Sequence, residues 1–61
     1  MSPGIGLGEK ELGFIKRHPE GVEVGDMEEP LGALKMRLGV LAKGLLEKGK
    51  VRKEENIYFP L

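Results

Sequence analysis

The sequence predicts an α+β domain of three helices closed by a C-terminal β-hairpin, and three observations carry that expectation. The strongest helical period spans residues 33–48, where Leu34, Leu38, Leu41 and Leu45 recur at offsets of zero, four, seven and eleven. Gly32 and Gly49 bracket that period as helix-end residues, and beyond Gly49 the apolar positions alternate in twos. A chain of 61 residues buries only about 60% of its unfolded surface, which allows one modest core and no deep substrate cavity. Residues 1–8 read as a flexible arm and residues 9–61 as the domain.

The arm alternates glycine with small or apolar residues in Gly4-Ile5-Gly6-Leu7-Gly8. These glycines are not read as a phosphate loop, because a nucleotide-binding fingerprint needs a preceding strand and none stands before them. Glu9 to His18 then carries Leu12, Phe14 and Ile15 among charges, with Leu12 and Ile15 spaced as one helical stripe. His18-Pro19-Glu20-Gly21 stops this first helix, since a residue before proline avoids helical angles and glycine accepts positive φ. His18, the only histidine, reads as a helix-end cation or surface group. Val22-Glu23-Val24 alternates as a short strand.

Asp26 stands as a cap for a second helix over about Met27 to Leu31, with Glu29 completing an Asp-x-x-Glu box and Gly32 closing it. Pro30 also permits one long helix running to Lys48, but the turn residue Gly32 favours two. In the third helix the leucine stripe, widened by Ala42 and Leu46, is the expected core face, and Met36, Gly39, Val40 and Lys43 lie opposite, with Lys35 on one flank. Gly39 and Gly44 each cost a helix roughly 1 kcal/mol relative to alanine, which predicts close neighbours: a partner at Gly39 and another helix at Gly44. The hairpin is expected as Lys50 to Lys53, a Glu54-Glu55-Asn56 turn, and Ile57 to Leu61. Ile57, Phe59 and Leu61 share one face of the last strand, and Pro60 places that strand at an edge.

Ten bases and ten acids give a net charge of zero, but the signs are sorted along the chain. Residues 1–30 hold three bases against seven acids, residues 31–53 hold seven bases against Glu47 alone, and Glu54 and Glu55 complete the sum. The middle segment, net plus six, can attract a polyanion while the whole molecule stays neutral.

Composition closes several functional classes. With no cysteine there is no disulfide framework, thiolate metal site or redox pair, and an intracellular, cytoplasmic location is the expectation. No stretch reads as a signal peptide or a membrane span. Ser2, Tyr58 and His18 cannot assemble a nucleophile with its base, and the adjacent pairs Glu28-Glu29 and Glu54-Glu55 do not converge as metal ligands. No enzyme activity, cofactor, metal or small-molecule substrate is therefore expected. The absence of Gln, the single Asn and the 33% charged residues lean toward a thermophile's composition.

The order of elements, carried by Val22 to Val51, resembles the winged helix-turn-helix family. In that family a short strand like Val22-Glu23-Val24 precedes a small helix ending in a Leu-Gly pair, here Leu31-Gly32. Leu38, Ala42 and Leu45 match core positions of its third helix, and Glu47-Lys48-Gly49-Lys50-Val51 matches its Glu-x-Gly-x-Val exit. Arg52-Lys53 matches the basic first wing strand and Tyr58-Phe59 the aromatic return strand, so the resemblance covers Glu9 to Leu61. The departures are a third helix without a Ser or Thr cap or amide readers, an acidic wing tip, and the small Ala42 in the core.

The resemblance implies binding of double-stranded DNA by a small transcriptional regulator or architectural factor. Lys35, Arg37 and Lys43 would meet phosphates or guanine edges, and Met36 and Val40 thymine methyls. Gly39 would allow close approach, and Arg52 and Lys53 would grip the flanking backbone. About five phosphate contacts would give a salt slope near −4.5. The competing expectation is a module that joins proteins through the exposed Met36/Val40 face. A homodimer is compatible with either, formed by the first helix, the arm or the strand Ile57 to Leu61.

Overall fold

Helix α1 spans Leu7–Lys16 in a computed structural model that describes residues 6–61. It begins two residues before the expected Glu9, because Gly6 takes the extended cap position and its carbonyl accepts from the Lys10 N–H at 3.0 Å. Leu7 and Gly8 therefore belong to the helix, and residues 1–5 of the expected arm lie outside the described residues. Arg17 caps the other end, and the His18 N–H reaches the Ile15 carbonyl at 2.9 Å.

Gly21 is required where the chain turns into β1, Val22–Glu23. Its φ is 97°, and a Cβ there would sit 2.5 Å from Ile57 Cγ2 and 2.6 Å from Phe59 Cε2. Val24–Met27 is a turn of 3-10 helix, not the third residue of the strand. Asp26 does not cap the next helix with Glu29. Its carboxylate instead accepts from the Glu23 N–H at 3.4 Å, one turn earlier. Helix α2 follows as Glu28–Leu31, with Pro30 inside its first turn where no amide donor is missed. Gly32 ends it at φ 62°, so α2 and the next helix are separate.

Helix α3 runs Lys35–Glu47 and buries Leu38, Ala42 and Leu45. Leu34 is not part of its core stripe: it is the extended cap residue, ψ 146°, and stays 76% exposed. Leu41 is half-buried and Leu46 is exposed. Gly49, at φ 71°, closes the helix with a pair of reversed bonds, Gly49 N–H to Leu46 O and Lys50 N–H to Leu45 O, each 3.0 Å.

The hairpin joins β2, Val51–Glu54, to β3, Ile57–Pro60, through a two-residue turn in which Glu55 takes a left-handed φ of 57°. The three antiparallel strands are ordered β1-β3-β2, so β3 is central and not the expected edge. Its ladder with β1 stops at Tyr58, which leaves Pro60 past the reach of that neighbour. Lys53 and Val22 both pair with Tyr58, and Val51 pairs with Pro60; these residues form the inner face, on which Tyr58 is buried. Ile57 and Phe59 share the other face, against Gly21, and Leu61 is 77% exposed.

One core joins Ile15 of α1, Val22 of β1, Met27, the three inward residues of α3, Val51 of β2 and Tyr58 of β3, and the half-buried Leu31 of α2 packs against it. Within it sits a charge-bearing side chain. Glu11, four residues before Ile15 on the buried face of α1, is 0% exposed, and among the described residues neither carboxylate oxygen has a hydrogen-bond partner. Burial alone pushes its carboxyl from the ordinary 4.5 up to about 7.

Candidate functional site

The outward face of α3 is where the chain leaves its least compensated surface. Met36 is 83% exposed and Val40 68%, and Lys35, Arg37 and Lys43 stand around them in solvent. No acid occurs between Glu29 and Glu47, and among the described residues none of these three bases forms an ion pair. Buried neighbours on α3 fix this arrangement: with Leu38, Ala42 and Leu45 turned inward, Met36, Val40 and Lys43 can only point away. Gly39 lies on one flank of the same surface, and among the described residues nothing beyond its own helix is within 4 Å of where a Cβ would be.

The amino end of α3 is secured from α2. Leu34 has no side chain to cap it, and Glu28 does so instead, its carboxylate accepting from the Lys35 N–H at 2.7 Å. This link bridges seven residues across the turn at Gly32, so no local cap motif announces it. It locks α2 against the start of α3 and holds Lys35 at the edge of the exposed face.

The hairpin divides its two candidate bases between opposite faces. Lys53 shares the inner face with Tyr58, with its Nζ 5.5 Å from the ring centroid. Beyond the core it reaches a hollow of about 230 Å³, which Lys35, Asn56, Tyr58 and Glu23 also line. Arg52 is on the outer face, its guanidinium 4.4 Å over the Phe59 ring and ion-paired to Glu54. Of the residues expected to act together, Lys35, Met36, Arg37, Gly39, Val40 and Lys43 share α3, and Lys53 meets Lys35 across the hollow. Arg52 does not join them.

His18 lies away from this surface. Its ring stacks on Phe14 at 4.4 Å and its Nδ1 is 2.9 Å from the Glu20 carboxylate. That hydrogen bond, helped by the Glu20 backbone, holds the Glu20 carboxyl below its ordinary range. Among the described residues no three His, Asp or Glu side chains converge as metal ligands, and no helix is long and apolar enough to cross a membrane. Glycines 39 and 44 find no neighbour within the fold: the expected helix beside Gly44 is not there among the described residues.

Compared with protein-family models, with curated proteins and with solved structures, the chain matches none.

Proposed function

We propose that this chain is a winged helix-turn-helix protein that binds double-stranded DNA, as a small transcriptional regulator or architectural factor, with α3 in the major groove and the β2-β3 hairpin as the wing. One observation carries the reading: the exposed face of α3 holds three bases with no acid among them and no ion pair to neutralise them. Element order α1-β1-α2-α3-β2-β3 and strand order β1-β3-β2 support the winged arrangement.

In this reading Lys35, Arg37 and Lys43 meet phosphates or guanine edges, and Met36 and Val40 pack on thymine methyls. Gly39 lets the duplex approach the helix backbone. Lys53 supplies the wing contact from the same side as Lys35, whereas Arg52 stays with Glu54 and Phe59. Four phosphate-directed bases replace the five of the sequence reading, so the salt slope falls to about −3.6. The small number of contacts and the missing amide readers favour weak sequence preference. Titration of random duplex DNA across a salt series, followed by amide resonances, tests the assignment.

A second reading rests on the apolar side chains Met36 and Val40, one helical turn apart and each more than two-thirds exposed. Such a cluster inside a basic rim also suits an acidic protein partner. If duplex DNA leaves the resonances of Lys35 to Lys43 unmoved at low salt, the protein-docking reading replaces the first.

A further inference from the structure

A groove of about 570 Å³ runs between the amino-terminal half of α1 and the carboxyl-terminal half of α3, on a different flank from the hollow that joins Lys35 to Lys53. Gly8 and Gly44 thin its two walls, and the half-buried Leu12 and Leu41 give it an apolar floor. Glu9 stands on the α1 side, Lys48 and Lys50 on the α3 side, all exposed, and among the described residues none of the three is in an ion pair.

We infer that this groove is the contact surface between two copies of this chain. Two features of the groove select that occupant. Gly44 weakens α3 by roughly 1 kcal/mol relative to alanine, and among the described residues nothing beyond its own helix comes within 4 Å of its absent Cβ, so the described fold makes no use of the missing side chain. A helix from outside does use it, because glycine lets a second backbone approach. The charges then decide whose helix it is. One wall is acidic and the other basic, so a two-fold axis brings the Glu9 of each copy to Lys48 and Lys50 of the other. Charges of both signs on the two walls of one groove make the surface complementary to itself across a two-fold axis. A core of eight buried apolar residues also gains from apolar area covered by a second copy. The contact leaves Met36, Lys43 and the hairpin outside it and shares only Val40, which also lines the groove, with the DNA-directed face. Of the surfaces expected for a dimer it uses the first helix and not the strand Ile57 to Leu61, since β3 is already paired on both sides.

Sedimentation equilibrium of the full chain over a concentration series tests this. The wild type is expected to show a monomer–dimer equilibrium. Gly44→Leu is expected to fill the groove and be monomeric while keeping or raising helix content. Glu9→Lys and the Lys48→Glu/Lys50→Glu variant are each expected to weaken the dimer by about tenfold or more, because both symmetry-related contacts become repulsive. A mixture of those two variants restores opposite charges at both contacts and is expected to recover the dimer. A wild type that is monomeric at every concentration overturns the inference, as does a dimer that survives Gly44→Leu. Failure of the mixture to associate more tightly than either variant alone overturns it without depending on how Gly44→Leu folds. Loss of helix content in a monomeric Gly44→Leu also overturns it, since the groove is then filled from within the chain.

Discussion

Helices α1 and α3 each leave polar and apolar groups uncompensated, but in opposite senses. The outer face of α3 keeps Met36 and Val40 in water beside three unpaired bases, and the inner face of α1 draws the unpartnered Glu11 into the core. Exposed apolar groups and separated surface charges cost a folded domain little, so the α3 surface can be kept for a ligand. A carboxyl without hydrogen bonds in the core opposes folding directly and does so increasingly as it ionises. Departures from ordinary burial therefore mean different things on the two helices: on α3 they leave the surface of the proposed binding, and on α1 they set how stability depends on pH.

Reversing charge on α3 is the largest expected effect. Lys35→Glu combined with Lys43→Glu should lower affinity for duplex DNA by about a hundredfold or more at low salt, and leave unfolding stability within about 0.5 kcal/mol, because both side chains are solvated. Fluorescence anisotropy and urea denaturation check the two halves separately. Equal losses in both would erase the distinction between the helices.

The complementary change on α1 acts on stability alone. Folding takes up a proton at Glu11 wherever the pH lies between its unfolded value of 4.5 and its folded value of about 7. The stabilisation is fully present below 4.5 and is lost as pH rises through about 7, at most roughly 3 kcal/mol over that interval. Glu11→Leu should remove this decline and raise stability by about 2–3 kcal/mol at pH 7.5, with little change in DNA affinity. Urea denaturation at acidic and neutral pH measures it, and a wild type equally stable at both would contradict the burial argument.

Gly39→Ala separates folding from binding at one residue. Among the described residues nothing occupies the space of the added methyl, so helix propensity should raise stability by up to about 1 kcal/mol, while DNA affinity falls severalfold. A gain in both would move the DNA surface away from this flank of α3. The smallest effect separates the hairpin faces. Lys53→Ala should reduce the steepness of the salt dependence by about 0.9, and Arg52→Ala should leave it unchanged.

Much of this architecture is legible in the residues, and the exceptions have physical causes. Gly32 and Gly49 mark real left-handed helix ends, and Leu38, Ala42 and Leu45 are the core of α3, because turn chemistry and a repeated helical period are local signals. Leu34 fits that period but precedes the first helical residue, so an extended backbone carries it into solvent. Alternation in the last strand separates Ile57 and Phe59 from Tyr58 without saying which set meets the helices; pairing with Val22 and Lys53 decides for Tyr58. The same alternation separates Arg52 from Lys53, which adjacency in the chain had joined. Glu11 reads as surface because an unpaired acid is costly to bury, and the cap from Glu28 to Lys35 is a contact between helices that no local motif encodes.

The salt dependence of binding to random duplex DNA tests whether α3 and β2 carry the duplex, with amide resonances identifying the surface. Four phosphate-directed bases, Lys35, Arg37, Lys43 and Lys53, call for a logarithmic slope of about −3.6, with the largest shifts from Lys35 to Lys43 and at Lys53. A binding constant that stays flat from low to moderate salt, or shifts confined to residues outside α3 and β2, would contradict it.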